Sequence, residues 1–254
     1  MIYTVASDFH QNAKALEYLF KNYGDTQIVL LGDFFDSHGG TDVADAKTMA
    51  TALVDLVNQA KIKPILVSGN HDDFITGTAY QQPFYFENWM ANGGKITLRQ
   101  LSYTGSKNIS AVSYFLQTNY PDVLALLRSA HYIVDEENIL FVHAGLDWSK
   151  PDPIHDTDAG VATWIREGYL FESELSRRPH RNSINKTIVS GHTPIQSFDR
   201  FKNDAWVMHH PLDPDGVNRY LIDGGSGSGM SNAHVNILQF NDLGQLIHED
   251  QFGL

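Results

Sequence analysis

Gln27-Ile28-Val29-Leu30-Leu31-Gly32-Asp33-Phe34-Phe35-Asp36 is an apolar run of strand length that stops on glycine and then offers two carboxylates. A strand covered on both faces reads as such an unbroken apolar run. Ligand-type side chains gather at the carboxyl ends of strands in open α/β sheets. One such unit is weak evidence. Here it recurs.

Upstream, residues 2–6 read as a short strand that ends at Asp8-Phe9-His10. Downstream, 62–67 lead into Gly69-Asn70-His71-Asp72, 139–142 into His143-Ala144-Gly145, and 187–190 into Gly191-His192-Thr193. Helical spacing fills the gaps. Asn12 to Lys21 puts Leu16, Leu19 and Phe20 on one face, and 43–60 does the same with Met49, Leu53, Leu56 and Val57. The order β-α-β-α-β predicts a parallel or mixed sheet flanked by helices.

Farther along, helices are predicted at 84–91 and 119–129, and strands at 96–101 and 109–114. Short strands at 132–134 and 139–142 flank an acidic turn. Residues 144–185 are irregular, with one helix near 158–168, and read as a cap or lid over a site. Strands return at 187–190, 205–208, 219–222 and 234–240. The last turns through Asn241-Asp242-Leu243-Gly244 into 245–248 as a hairpin. No polar linker, repeat or low-complexity segment interrupts the chain. One α/β domain with two sheets, spanning 1–254, is expected.

The 254 residues are 42% apolar, an ordinary globular composition. There are no cysteines, which excludes disulfides, thiolate metal sites and cysteine nucleophiles. No leader-like segment precedes Asp8 and no apolar run approaches the length of a membrane span, so a cytoplasmic protein without a membrane partner is expected. Eighteen basic against 30 acidic side chains give a formal charge of −12. That sign disfavours duplex nucleic acid and anionic membrane. It says little about an anionic substrate, because bound cations reverse the field locally.

Carboxylate, imidazole and amide donors make a mixed hard and borderline set. Such a set suits Mn²⁺, Fe or Zn²⁺ better than a Ca²⁺ cage. One carboxylate can bridge two ions, and such a pair polarises a phosphoryl oxygen and activates water. A lone Asp-x-His or Gly-Asn-His arises often by chance; five pieces in order, each after a strand, form a specific signal.

The set resembles the calcineurin-like metallophosphoesterase superfamily, in the branch of serine/threonine protein phosphatases and bacterial diadenosine tetraphosphate hydrolases. The resemblance runs from residue 1 to about 240. It rests on Asp8-Phe9-His10, Gly32-Asp33-Phe34-Phe35-Asp36, Gly69-Asn70-His71-Asp72, His143-Ala144-Gly145 and Gly191-His192-Thr193. It implies a four-layer α/β/β/α sandwich and two metal ions, Mn²⁺ first among the candidates. Asp8 and His10 would hold the first ion, Asp33 would bridge, and Asn70, His143 and His192 would hold the second. His71 would protonate or stabilise the leaving oxygen, positioned by Asp36, and a metal-held hydroxide would attack phosphorus in line. A surface or capping carboxylate is the other reading of Asp36.

Two departures bear on the substrate. The family usually carries arginines where this chain has Ser37 and Ser68, which removes bidentate phosphate contacts. Arg166, in Trp164-Ile165-Arg166, resembles a family arginine that reaches the phosphate, or is an ordinary surface residue. Arg177, Arg178 and Arg181 either contact a second phosphate or nucleotide tail, or are simply solvated. Gln11 stands where glycine is usual. The expected activity is hydrolysis of a small-molecule phosphoanhydride or phosphodiester, first a dinucleoside polyphosphate. A protein phosphatase or general phosphomonoesterase is the alternative. A metal-bound scaffold without catalysis is the alternative of another class.

Overall fold

A computed structural model describes residues 1–37, 45–172, 179–198, 208–209 and 219–253. The chain opens with β1 (Ile2–Ala6), α1 (Ala13–Tyr23), β2 (Gln27–Leu30), α2 (Ala46–Gln59) and β3 (Ile65–Leu66). Five helices follow: α3 (Asn70–Ala79), α4 (Pro83–Ala91), α5 (Gly94–Gln100), α6 (Ile109–Asn119) and α7 (Pro121–Ser129). Then come β4 (Ile133–Asp135) and β5 (Ile139–Val142), and three short helices, α8 (Pro153–Asp156), α9 (Ala159–Trp164) and α10 (Glu167–Leu170). The chain closes with β6 (Thr187–Ser190), β7 (Met208–His209), β8 (Arg219–Leu221), β9 (His234–Asn241) and β10 (Leu246–Gly253).

The strands form two five-stranded mixed sheets, ordered β10-β9-β1-β2-β3 and β4-β5-β6-β8-β7. In the first, β1, β2 and β3 are parallel, while β9 runs antiparallel to both β1 and β10. In the second, β5, β6 and β8 are parallel, with antiparallel β4 and β7 at the edges.

The period-2 alternation of strand side chains sorts the core into layers. Tyr3 and Val5 of β1, Val29 of β2, and Ile139 and Phe141 of β5 meet in one cluster between the sheets. Their neighbours face the other way. Ala6, Ile28 and Leu30 pack against α1–α3 and α5–α7. Leu140 and Val142 pack against Ala162, Tyr169 and Leu170 of α9 and α10. Helix, sheet, sheet, helix is therefore the layer order. Each large side chain so buried contributes about 1.5–3 kcal/mol. The continuous apolar runs arise because both faces of these strands are covered.

Two strand expectations fail. Residues 96–100 and 109–114 are helical, not strands, and Leu101 caps the end of α5. Asn108 caps α6 by accepting the Ala111 N–H, at 2.9 Å. Val112 and Leu116 then bury at helical spacing. In α5, Leu98 and the following Leu101 bury three residues apart, while Thr97 is drawn inside by a polar contact described below. The helix predicted at 119–129 is broken at Tyr120, because Pro121 starts α7 afresh at its first position. The helix near 158–168 is likewise split into α9 and α10 at Ile165–Arg166. Of the strand predicted at 205–208, residues 205–207 lie outside the described residues. Met208–His209 pairs antiparallel with β8.

Candidate metal centre

The five strand-end loops converge. Asp8 and His10 follow β1, Asp33 and Asp36 follow β2, Asn70 and His71 begin α3, His143 follows β5, and His192 follows β6. Six non-glycine residues in these loops have left-handed backbone: Asp8 (φ 54°), His10 (42°), Gln11 (71°), Asp33 (54°), Asp36 (65°) and His192 (67°). Each such residue costs about 1–3 kcal/mol and persists only where its surroundings hold it. Glycines leave the needed room. A Cβ on Gly69 would collide with the Asp33 carboxylate, and one on Gly191 with Ser7 and Asp8.

Three imidazoles are pinned from behind by carbonyls, which can only accept. His10 Nδ1–H donates to Phe35 O at 2.9 Å and Asp36 O at 3.0 Å. His143 Nδ1–H donates to Leu31 O at 2.6 Å, and His192 Nε2–H to Trp164 O at 3.2 Å. The other ring nitrogen of each then presents a lone pair inward, an arrangement typical of metal-binding histidines. His143 Nε2 lies 3.2 Å from His192 Nδ1, 3.3 Å from Asn70 Oδ1 and 3.5 Å from Asp33 Oδ2. His10 Nε2 lies 3.8 Å from Asp33 Oδ2 and 4.0 Å from Asp8 Oδ1. Asp8 Oδ1 is buried without a hydrogen-bond partner.

Lone pairs facing one another at this range repel unless a positive charge, a proton or a metal ion, lies between them. The titration tendencies agree. Burial pulls His143 down, yet the Asp33 and Asp8 charges carry it up to about 10. Burial and the neighbouring His143 and Arg166 drive His192 well below its ordinary range. The pocket favours one positive charge there, and these residues fit a metal.

Two donor clusters share Asp33: His10, Asp33 and His71, and Asp33, His143 and His192, with donor atoms within 4.8 Å of one another. Asp33 divides its oxygens. Oδ1 accepts the His71 backbone N–H at 2.9 Å, and Oδ2 faces both clusters. His71 is set apart from the other imidazoles because its Nδ1 lies on the Asp36 carboxylate, at 2.9 Å.

Asp36 is fully buried. Trp89 Nε1–H donates to both its oxygens, at 3.0 and 2.9 Å, and Thr97 bonds Oδ1. Neither residue was legible as part of the site, since both lie on helices remote from the motifs in sequence. Gln11 Nε2 donates to Thr97 Oγ1 at 3.1 Å, which ties the first loop to the Asp36–His71 pair. Asp72 was also missed, although it ends the third motif. It accepts the Asp33 and Gly69 N–H groups at 2.9 and 3.0 Å and so locks the second and third loops together.

Arg166 stands on the flank, with Nη1 donating to His192 O at 2.8 Å and Thr193 Oγ1 at 3.2 Å. Arg181 is exposed, and Arg177 and Arg178 lie outside the described residues.

The sequence profile described as calcineurin-like phosphoesterase matches residues 1–225. The chain belongs to this family. Its two sheets and the loops at their strand ends have the calcineurin-like phosphoesterase architecture, and its two donor clusters make it a metal-dependent hydrolase of that family. Similar solved structures cover nearly the whole chain at low identity. A protein proposed to be a diadenosine tetraphosphatase shares 15% identity over 99% of this chain and 93% of its own, with a TM-score of 0.54. A protein serine/threonine phosphatase from Saccharomyces cerevisiae shares 15% over 100% and 80%, also at 0.54. A metallophosphoesterase from Sphaerobacter thermophilus shares 15% over 99% and 88%, at 0.51. At this identity they speak for the calcineurin-like fold alone. A search of curated proteins finds no match. No helix among the described residues is long and apolar enough to cross a membrane.

Proposed function

We propose that this chain hydrolyses a phosphoanhydride or phosphodiester of a small molecule, with a dinucleoside polyphosphate as its substrate. Asp8, His10 and Asp33 would hold one metal ion, and Asn70, His143 and His192 the other, with Asp33 common to both. Bound there, the ions, Mn²⁺ first among the candidates, would polarise a phosphoryl oxygen and make water nucleophilic. The chain's own part is orientation and proton transfer. His71, fixed through Nδ1 by Asp36, can hold a proton at Nε2 and pass it to the leaving oxygen. Arg166 on the flank would neutralise charge building on the phosphoryl oxygens. Residues 1–254 are taken as one domain, with a cap or lid insertion near 144–185 that includes Arg166.

The observation that carries the substrate reading is the state of the two serines. Ser37 Oγ faces Gly227 O at 3.4 Å, and Ser68 Oγ donates to Asp73 at 2.9 Å. Both are buried and turned to the protein. A phosphomonoester dianion, which needs the most positive charge around it, loses most by their presence. A phosphoanhydride or diester has less charge at the reacting phosphorus. The buried His71–Asp36 pair speaks against a non-catalytic metal scaffold.

Product analysis with Mn²⁺ tests the reading, using diadenosine tetraphosphate and a phosphoserine peptide in parallel and Asp33→Asn as control. Cleavage of the dinucleotide with the peptide untouched is expected. Dephosphorylation of the peptide with the dinucleotide intact would sink the reading.

A further inference from the structure

A pocket of about 240 Å³ opens along α3, beside the metal-centre loops. Asp73 lines it one turn into the helix that Asn70 begins, together with Tyr80, Tyr85, Tyr132 and Arg128. Residues three apart on a helix are neighbours, with Cβ atoms about 5–6 Å apart. Asp73 therefore lies next to a candidate metal donor.

The lining specifies what can enter. Asp73 is 8% exposed. Its Oδ1 accepts Ser68 Oγ at 2.9 Å and Tyr132 OH at 3.4 Å, while Oδ2 has no hydrogen bond among the described residues. A carboxylate oxygen at a pocket wall, with no protein donor on it, can accept an N–H from an occupant. Charge narrows the choice. Arg128 is fixed on the Tyr80 side, with Nη1 on Tyr80 OH at 2.7 Å and its guanidinium 4.8 Å from the ring centre. That fixed cation disfavours a cationic occupant, and Asp73 disfavours an anion. A neutral flat ring with N–H groups satisfies both, and tyrosine faces suit it. Size narrows it further. Sites for whole small molecules span roughly 300–1,000 Å³. This pocket is smaller, so it takes one part of a molecule whose remainder lies elsewhere, and the neighbouring site is the metal centre.

We infer that this pocket is a base subsite: it takes the amino-substituted heteroaromatic base of a nucleotide substrate, with the exocyclic N–H on Asp73 Oδ2. The inference rests on the phosphoesterase reading for the direction of the phosphates, but its test does not. Titration calorimetry of the intact chain compares adenosine with purine riboside, which lacks the amino group. Adenosine is expected to bind about tenfold or more tighter, the worth of one hydrogen bond to a charged acceptor. Asp73→Asn, which turns an N–H₂ toward the base, should erase that preference. Tyr80→Ala, at an exposed position, should weaken both nucleosides alike and serves as a second variant should Asp73→Asn misfold. No adenosine binding, equal affinity for the two nucleosides, or binding indifferent to both variants would overturn the subsite. Adenosine binding without cleavage of the dinucleotide would instead overturn the substrate proposal and leave the subsite standing.

Discussion

His71 sits between opposed influences. Burial pulls its pKa down, but Asp33 and then Asp36 carry it up to about 9. Cations at the metal centre would cancel the part due to Asp33. Asp36, facing the other ring nitrogen, would then be the partner that keeps the ring protonated. A proton donor must carry its proton, so rate falls as pH rises through its pKa. Asp36→Asn lowers that pKa, and the basic limb of the kcat profile should move to lower pH. Loss of positioned acid catalysis should also cut kcat by about 100-fold or more for a poor leaving group. The cut should be far smaller for p-nitrophenol, which leaves without a proton. Equal losses on both would mean that His71 is no acid.

At the scale of elements, strand ends were legible, and of the middle helices α4 and α7 were legible while α3, α5 and α6 were not. Val29 and Leu31 turn to one sheet face, Ile28 and Leu30 to the other, and a run apolar on both faces announces itself. Donor residues placed beside glycine announced the loops. Ile96-Thr97 and Ile109 mimicked strands because β-branched residues carry strand propensity. What decided those segments lay elsewhere in the chain: Thr97 is held by Asp36, sixty-one positions away. The helix α3 was hidden because its first turn is the third motif itself. Ser37 and Ser68 were visible as departures, but only the fold shows their hydroxyls turned inward.

One element contact makes a separate claim. Asp250 on β10 accepts Tyr18 OH at 2.9 Å and Tyr23 OH at 2.6 Å from α1, docking the terminal hairpin on the first helix. Burial raises the Asp250 pKa, but the two hydroxyls outweigh it and the net shift is downward. A carboxylate depressed in the folded state stabilises it above its unfolded pKa, about 3.9, and loses that effect as pH falls through the folded value. The gap in urea midpoint between the wild type and Asp250→Asn should therefore be open at pH 7 and close below about pH 4. A gap constant with pH would contradict the assignment.

For the whole molecule, the donors come from both sheets. Asp8, His10 and Asp33 follow strands of the first, and His143 and His192 strands of the second. A cation held between them links the layers and binds only the folded chain. At a thousandfold excess over Kd such a ligand adds about 4 kcal/mol. For a chain of this size that is roughly 8–16 °C in melting temperature. Mn²⁺ should raise the melting temperature of the chelated wild type by that order and leave Asp33→Asn nearly unmoved. Hydrogen exchange should place the gain on β5 and β6 as well as on β1 and β2.

Asp33 gives one oxygen to the His71 amide and the other to both clusters. Three duties therefore depend on the length of a single side chain. Lengthening it by one methylene, in Asp33→Glu, shifts all three at once, whereas a change at His10 touches one cluster. A substitution series at position 33 should be all-or-none, with no partially active members, while a series at 10 should be graded.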